Sequence, residues 1–264
     1  MLPARFELHR PSRIEDALAL AARHGDDATY YAGGTEILVA MKARVLRYGH
    51  VIDLKRIDAL KGIALREDGT LVIGALATHH ELATHPLVRE RQPAYAALAA
   101  DVANIRVRVA GTLGGNLCFA ESHADPPALL CALDARVVLV GAEGERTVPM
   151  REFILGEFTT ARADGELLAR VEIPPLAPGA KAAYRAFGQL ERPAVGVAAV
   201  REPGGRVRFW VGAIAGQPMP LDCDPEEAGA AAEALEAHDD LHGSADYKRH
   251  LVGVLARRAA EACA

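Results

Sequence analysis

Two pairs of adjacent glycines are the residues of this sequence best suited to binding a charged ligand through the main chain. Gly33 and Gly34 precede Thr35 in the segment YYAGGTEILVAMKAR, and Gly114 and Gly115 lie in AGTLGGNLC. Glycine has no side chain to hold a ligand away, so consecutive backbone amides can converge on phosphate oxygens, and a helix start adds a favourable dipole. Two such segments can together bind the two phosphates of one pyrophosphate group.

The same residues also have a plainer interpretation. Each glycine pair can simply permit a tight turn, and with 24 glycines in the chain such turns are common. Asp125 follows the second pair and can accept hydrogen bonds from a ribose, but before Pro126 it can equally cap a helix. Neither segment matches GxGxxG or GxxxxGK[ST], which argues against a Rossmann dinucleotide fold and a nucleoside triphosphatase.

Composition narrows the class of protein. The chain has 264 residues, half of them hydrophobic, and a formal net charge of −5, which gives no general attraction to nucleic acid or to an anionic membrane. No apolar stretch approaches the roughly 18 residues of a membrane span, and the N-terminal stretch MLPARFELHRPSR lacks the apolar core of a signal peptide. We therefore expect a cytoplasmic protein with no membrane span and no nucleic-acid partner.

The sequence predicts no metal site. The four cysteines are scattered without a CxxC pair, which argues against a zinc site, an iron–sulfur cluster and a disulfide framework. His79, His80 and His123 lack partners at metal-ligand spacing, and we expect them in solvent-exposed turns and caps.

Hydrophobic periodicity predicts the elements around the first glycine pair. Ser12 and Glu15 have the spacing of a capping box before a helix that Gly25 ends. ATYYA then predicts a strand that leads into the glycines, and a helix is expected at about 35–43. HVIDL predicts a second strand.

The middle of the chain alternates hairpins and helices. GIALREDGTLVIGA predicts a hairpin with its turn at Asp68 and Gly69, and RVVLVGAEGERTVPM predicts another. Helices are expected between them at 78–84 and 86–100.

A proline-rich segment, PPLAPG at 174–179, indicates a domain junction. Three strand-like segments and two helices follow, the last helix with Tyr247, Leu251 and Leu255 on one face. The pattern as a whole is α+β, with domains at 1–175 and 176–264.

Five segments, in this order, resemble the FAD-binding (medium) subunit of molybdenum hydroxylases. They are YYAGGTEILVAMKAR, VIDLKRI, LVIGALATHHELATHPLV, GTLGGNLCFAESHADPPALLCALDARVVL and DDLHGSADYKRHLVGVLARRA. The family includes carbon monoxide dehydrogenase and xanthine dehydrogenase, and the resemblance covers nearly the whole chain. It implies a PCMH (vanillyl-alcohol-oxidase)-type FAD-binding domain of two α/β subdomains, followed by a small C-terminal domain of a sheet and helices.

The resemblance also implies which residues bind FAD, without a covalent link. The expected cofactor-binding residues are Tyr31, Ala32, Gly33, Gly34, Thr35, Glu36, Ile37, Thr112, Gly114, Gly115, Asn116, Asp125, Leu168 and Arg185. The glycine segments would bind the pyrophosphate, Asp125 the ribose, and Leu168 would line the flavin site. Arg185 stands near the place where the family usually has a lysine, in a stretch with an apparent deletion at 185–193.

The resemblance implies electron transfer within an assembly. Molybdopterin would lie on a large partner subunit and [2Fe–2S] clusters on a small one, in a dimer of heterotrimers. The FAD would pass electrons from those clusters to an external acceptor, so no catalytic acid or base is expected on this chain. Two alternatives are a free-standing PCMH-type flavin oxidoreductase and a scaffold subunit without flavin.

Overall fold

The N-terminal part of the chain forms a three-stranded parallel sheet with a helix against it. The computed structural model describes residues 2–188 and 191–264, so residues 189 and 190 of the stretch with the apparent deletion lie outside it. The strands are β1 (Glu7–His9), β2 (Ala28–Tyr31) and β3 (His50–Asp53), in the order β1-β3-β2. Helix α1 (Ile14–His24) buries Ala17 completely against this sheet, and α2 (Ile37–Lys42) follows the first glycine pair.

The predicted capping box of Ser12 and Glu15 does not form. Helix α1 has Arg13 as its N-cap residue, and the Arg13 side chain donates a hydrogen bond to Glu15 at 3.1 Å. The Glu15 carboxylate therefore accepts from Arg13, and Ser12 lies one residue before the N-cap position. The predicted end of the helix is confirmed, since Gly25 adopts a positive φ of 52°.

A five-stranded antiparallel sheet forms the centre of the molecule. Its strands are β4 (Ile63–Leu65), β5 (Leu71–Gly74), β6 (Arg136–Gly141), β7 (Gly144–Pro149) and β10 (Leu167–Ile173), in the order β4-β5-β10-β6-β7. Strands β8 (Ile154–Gly156) and β9 (Thr159–Thr160) make a separate two-stranded ribbon. Both predicted hairpins, β4–β5 and β6–β7, are confirmed.

Six short helices lie between β5 and β6. They are α3 (His79–Thr84), α4 (Pro86–Arg91), α5 (Pro93–Asp101), α6 (Ile105–Arg108), α7 (Leu113–Phe119) and α8 (Pro126–Ala132). The single helix predicted at 86–100 is wrong, because the chain breaks at Gln92 and Pro93 begins a new helix. Proline has no amide hydrogen to donate within a helix, but it is favoured in the first turn.

The C-terminal part is a four-stranded antiparallel sheet with two helices. The strands are β11 (Lys181–Phe187), β12 (Val195–Arg201), β13 (Val207–Gly212) and β14 (Met219–Leu221), and the helices are α9 (Ala228–Ala232) and α10 (Ala245–Ala262). Strand β12 is buried on both faces: Val197 belongs to the core beneath α10, and Ala198 to the core shared with α8. The expected apolar face of α10 is present, although Tyr247 at its start is exposed.

No helix in the described part of the chain is long and apolar enough to cross a membrane.

Candidate functional site

A cavity of about 610 Å³ brings together most of the residues that the sequence points to. Its volume is within the range of roughly 300–1,000 Å³ typical of ligand and cofactor sites. The predicted site residues that line it are Ala32, Gly33, Gly34, Thr35, Glu36, Ile37, Thr112, Gly114, Gly115, Asn116, Asp125 and Leu168. The two glycine segments, far apart in sequence, therefore meet at one site.

Two predicted residues lie elsewhere. Tyr31 faces a neighbouring cavity, where the Lys55 ammonium group lies 3.9 Å from the centre of its ring. Arg185 is exposed on β11 and donates a hydrogen bond to the backbone oxygen of Tyr184. Neighbouring strand residues point to opposite faces, and on this strand it is Tyr184 whose hydroxyl contacts the cavity residue Asp125.

The first glycine segment presents a run of free backbone donors. Within the described residues, the amides of 33–37 make no hydrogen bond, and all five residues line the cavity. Gly34 has a φ of +74°, a backbone conformation that side chains disfavour, and a Cβ there would meet the Tyr31 ring at 2.4 Å. Backbone donors without partners favour a ligand rich in acceptor oxygens, such as a phosphate.

Gly33 has a structural reason for being glycine. A Cβ at this position would lie 2.0 Å from the backbone oxygen of Ala110, the first residue of the second glycine segment. The absence of a side chain at Gly33 thus allows the two segments to pack against each other, whatever occupies the cavity.

The second glycine segment is not a loop but the first turn of α7. Thr112 is the N-cap residue, and its side-chain oxygen accepts from the Gly115 amide at 3.1 Å. The Gly114 amide donates to Ala75, and the Asn116 amide to the backbone oxygen of Thr112. The amides of residues 114–116 therefore already donate to protein atoms. Unlike the amides of residues 33–37, they are not available to a ligand.

The second segment contributes close packing and a side chain instead. A Cβ on Gly114 would lie 2.7 Å from the Cβ of Ala75, so this glycine lets α7 approach the end of the central sheet. The side-chain oxygen of Asn116 is buried without a hydrogen-bond partner among the described residues. Because Asn116 lines the cavity, a bound ligand is a natural source of that partner.

Asp125 is a cavity residue and does not cap a helix. Its side chain makes no capping hydrogen bond to α8 but accepts one from the Tyr184 hydroxyl at 2.9 Å. Desolvation by the surrounding protein raises the pKa of Asp125 to about 6, although the Tyr184 hydrogen bond opposes that rise. Sequence reasoning missed Tyr184, because its role depends on a contact between residues 59 positions apart.

His79 and His123 are not the solvent-exposed residues that the sequence predicts. His79 is 2% exposed at the start of α3 and lines the cavity. Burial, with a smaller effect of Arg108, lowers the pKa of His79 to about 4, so its ring is neutral at pH 7. The Nδ1 atom of His79 has no hydrogen-bond partner in the described part of the chain. Like the side-chain oxygen of Asn116, it is a buried polar atom of a cavity residue that a ligand could bind.

Charged residues connect the rim of the cavity to the C-terminal helix. Arg192 donates to Glu36 at 2.9 Å and lies 3.1 Å from Glu121. Glu121 also contacts His123 at 3.0 Å.

The same chain of contacts continues into α10. His123 contacts Asp240 at 2.9 Å, and Asp240 pairs with Lys248, a fully buried residue of α10. Burial disfavours the charged form of His123, but its hydrogen bonds and charge interactions with Glu121 and Asp240 outweigh burial and raise its pKa.

The fold and the cavity define an α+β protein with a cavity of cofactor size, lined by a main-chain segment whose amides have no partner among the described residues. Residues 4–176 match the family described as FAD binding domain in molybdopterin dehydrogenase, and the chain belongs to this family. It is an oxidoreductase subunit that binds FAD, which confirms the resemblance, the fold class and the cofactor expected from the sequence.

Relatives match over nearly the full length. The carbon monoxide dehydrogenase medium chain of Hydrogenophaga pseudoflava is 34% identical, covering 99% of this chain and 98% of its own. The 6-hydroxypseudooxynicotine dehydrogenase complex subunit alpha of Paenarthrobacter nicotinovorans is 30% identical, covering 98% and 94%. The solved carbon monoxide dehydrogenase of H. pseudoflava that lacks the Mo-pyranopterin moiety superposes with a TM-score of 0.94, covering 100% of this chain and 98% of that chain.

Proposed function

We propose that this chain is the FAD-carrying electron-transfer subunit of a multi-subunit molybdenum hydroxylase. The observation that carries the proposal is the run of residues 33–37, which line a cavity of cofactor size and whose amides have no partner among the described residues, in a member of this family. In the complex, electrons come from [2Fe–2S] clusters on a small partner subunit and leave to an external acceptor. Molybdopterin is held by a large partner subunit, and two such heterotrimers pair.

The residues of the cavity fit FAD. The amides of 33–37 bind the phosphates, and the Asp125 carboxyl accepts a hydrogen bond from a ribose hydroxyl. Asn116 and His79 each have one polar atom available for the cofactor. Tyr31 and Arg185 lie outside this cavity, and we assign them no contact with it.

The apolar wall of the cavity suits a planar ring. Leu168 is 4% exposed on β10 and lines the cavity beside Leu167 and Leu76. When bound, FAD supplies the redox chemistry, and the protein positions it and limits its contact with water. The chain itself then needs no catalytic acid or base.

We also propose the division into domains 1–175 and 176–264. The third sheet begins at Lys181, just after the proline-rich segment at 174–179. In the described part of the chain the cysteines are free, in keeping with the cytoplasmic location that we propose for the complex.

Co-expression with the candidate large and small subunits tests the proposed function. We expect one complex that contains FAD, iron and molybdenum, while the chain expressed alone contains FAD but neither metal. A chain that binds no flavin in either preparation would favour a scaffold role. A chain that takes electrons directly from a small substrate without partners would favour a free-standing flavin oxidoreductase.

A further inference from the structure

Three histidines gather on the small parallel sheet, outside both cavities. The ring centres of His24 and His50 lie 3.6 Å apart, and the ring of His9 lies 5.2 Å from that of His50. One ring nitrogen from each residue can be chosen so that all three lie within 4.8 Å of one another. All three residues are partly exposed, so an ion from solvent has access to them.

The fold explains why residues so far apart in sequence meet. Strands β1 and β3 pair in parallel with Glu7 opposite His50. His9 lies two residues after Glu7 and therefore on the same face of the sheet. Helix α1 packs on this sheet and ends at His24, which carries the third imidazole to the other two.

A carboxylate completes the group. The oxygens of Glu7 lie 3.8 Å from Nδ1 of His9 and 3.6 Å from Nδ1 of His50. The Glu7 side chain is 66% exposed, so it can rotate without disturbing the core.

We propose that His9, His24, His50 and Glu7 form a site for a divalent transition metal ion, with zinc as the best match. Three imidazole nitrogens and one oxygen are a common ligand set for tetrahedral zinc. Zinc–nitrogen bonds of about 2.0–2.1 Å place two ligand atoms roughly 3.3 Å apart in a tetrahedron. The 3.0 Å between His9 Nε2 and His50 Nδ1 is close to that separation.

A metal ion bound at this cluster would join β1, the end of α1 and β3. It would stabilise the N-terminal sheet by binding only the folded chain.

Calorimetric titration with Zn²⁺ tests the site, using the full chain as purified and treated with a chelator. We expect one ion per chain, and at least a tenfold weaker affinity for His24→Gln and for His9→Gln. The matched control is His238→Gln, which changes an exposed histidine paired with Glu236 and should leave zinc binding as in the parent chain.

Two further measurements test whether the variants are folded and which atoms bind the metal. Thermal unfolding without metal should give similar midpoints for all these variants, and zinc should raise the midpoint only for the parent chain and the control. Co²⁺ should give the visible spectrum of a tetrahedral nitrogen and oxygen site, without the bands of thiolate ligands. Absence of stoichiometric binding, or binding that survives both histidine substitutions, would overturn the proposal.

Discussion

At the scale of single residues, the contact between Asp125 and Tyr184 has the clearest consequence for function. It joins a cavity carboxyl to a strand of the C-terminal sheet across 2.9 Å. Because the pKa of Asp125 is about 6, this carboxyl changes its charge in an accessible pH range. The ionised form accepts hydrogen bonds more strongly than the neutral form.

We therefore predict that FAD affinity increases as the pH rises through about 6. Tyr184→Phe removes a hydrogen bond that lowers the pKa of Asp125, so the midpoint of this pH dependence should move to higher pH. Titration of flavin fluorescence between pH 5 and about 8 measures both effects. Tyr247→Phe, at an exposed tyrosine outside the cavity, is the control. An unchanged midpoint in Tyr184→Phe would show that Tyr184 does not position Asp125.

The same carboxyl also affects stability, with a defined sign. The folded chain holds a proton on Asp125 up to about pH 6, whereas an unfolded chain releases it near the ordinary value of 3.8. The folded state binds more protons in that interval, so the contribution of Asp125 to the free energy of unfolding decreases as the pH rises from about 4 to 6.

Gly34 allows a direct test of the first glycine segment. We predict that Gly34→Ala weakens FAD binding at least tenfold, because the new side chain would strain the left-handed backbone and collide with the Tyr31 ring. The strain alone costs about 1–2 kcal/mol. Gly179→Ala is the matched control, since Gly179 has a φ of +84° but open space around it and a place outside the cavity. Equal flavin content in both variants would mean that the segment is a simple turn. Gly33→Val is a poorer test, because it would disrupt packing against Ala110.

We predict that the flavin is held without a covalent bond. Cys118 lines the cavity, but burial raises the pKa of its thiol to about 11, which suppresses the reactive thiolate. Acid precipitation followed by filtration should release all of the yellow chromophore. Colour retained in the precipitate of the parent chain, and lost from that of Cys118→Ala, would identify a covalent link.

At the scale of elements, the sequence predicts most helices and strands correctly, because their hydrophobic patterns are local. The hairpin at Asp68 and Gly69 and the end of α1 at Gly25 are examples. The errors arise where a neighbour decides the outcome. Glu15 accepts a hydrogen bond from Arg13 instead of completing the expected capping box. Gly114 packs against Ala75 in the first turn of a helix, where the sequence predicts a phosphate-binding loop.

The site is predictable to a similar degree. The glycine segments and Asp125 are recognisable from residue type and spacing, and all of them line one cavity. Tyr184 and His79 could not be found in this way, because burial and long-range contacts give them their properties. Lys248 is a further case, since a lysine beside an apolar helix face is normally expected in solvent.

The ion pair between buried Lys248 and partly exposed Asp240 should stabilise the attachment of α10. Removing one partner of a fully buried pair typically costs about 3–5 kcal/mol, because it leaves an uncompensated buried charge. Since the Asp240 side chain is 27% exposed, we predict a loss below that range for Asp240→Ala. Lys248→Met, which removes the buried charge itself, should lose still less. Denaturant unfolding followed by circular dichroism measures both. A larger loss of stability for Lys248→Met than for Asp240→Ala would contradict this prediction, because it would mean that the Lys248 charge itself stabilises the fold.

At the scale of the whole molecule, the cavity depends on all parts of the chain. Its lining includes Thr29 of the N-terminal sheet, Leu168 of the central sheet and Arg192 of the C-terminal part. Large apolar side chains remain exposed near it: Val45 and Phe158 line the cavity, yet they are 76% and 58% exposed. Exposed apolar side chains beside a cofactor site are typical of a surface that a partner covers.

The last prediction concerns the assembly that would cover this surface. A flavin that exchanges electrons with a cluster on another chain needs a fixed docking surface, and obligate interfaces of this kind often bury more than about 2,000 Å². We therefore expect the chain alone to unfold at a lower temperature than the co-expressed complex, and to show no turnover with hydroxylase substrates. Gel filtration should give the mass of two heterotrimers only when all three subunits are present.

The substitution Val45→Ser should weaken this assembly. Its matched comparison is Val39→Ser, because Val39 is also an exposed apolar residue but lies outside the cavity lining. A stable monomer that oxidises a small molecule unaided would contradict the assembly and favour a free-standing flavoenzyme.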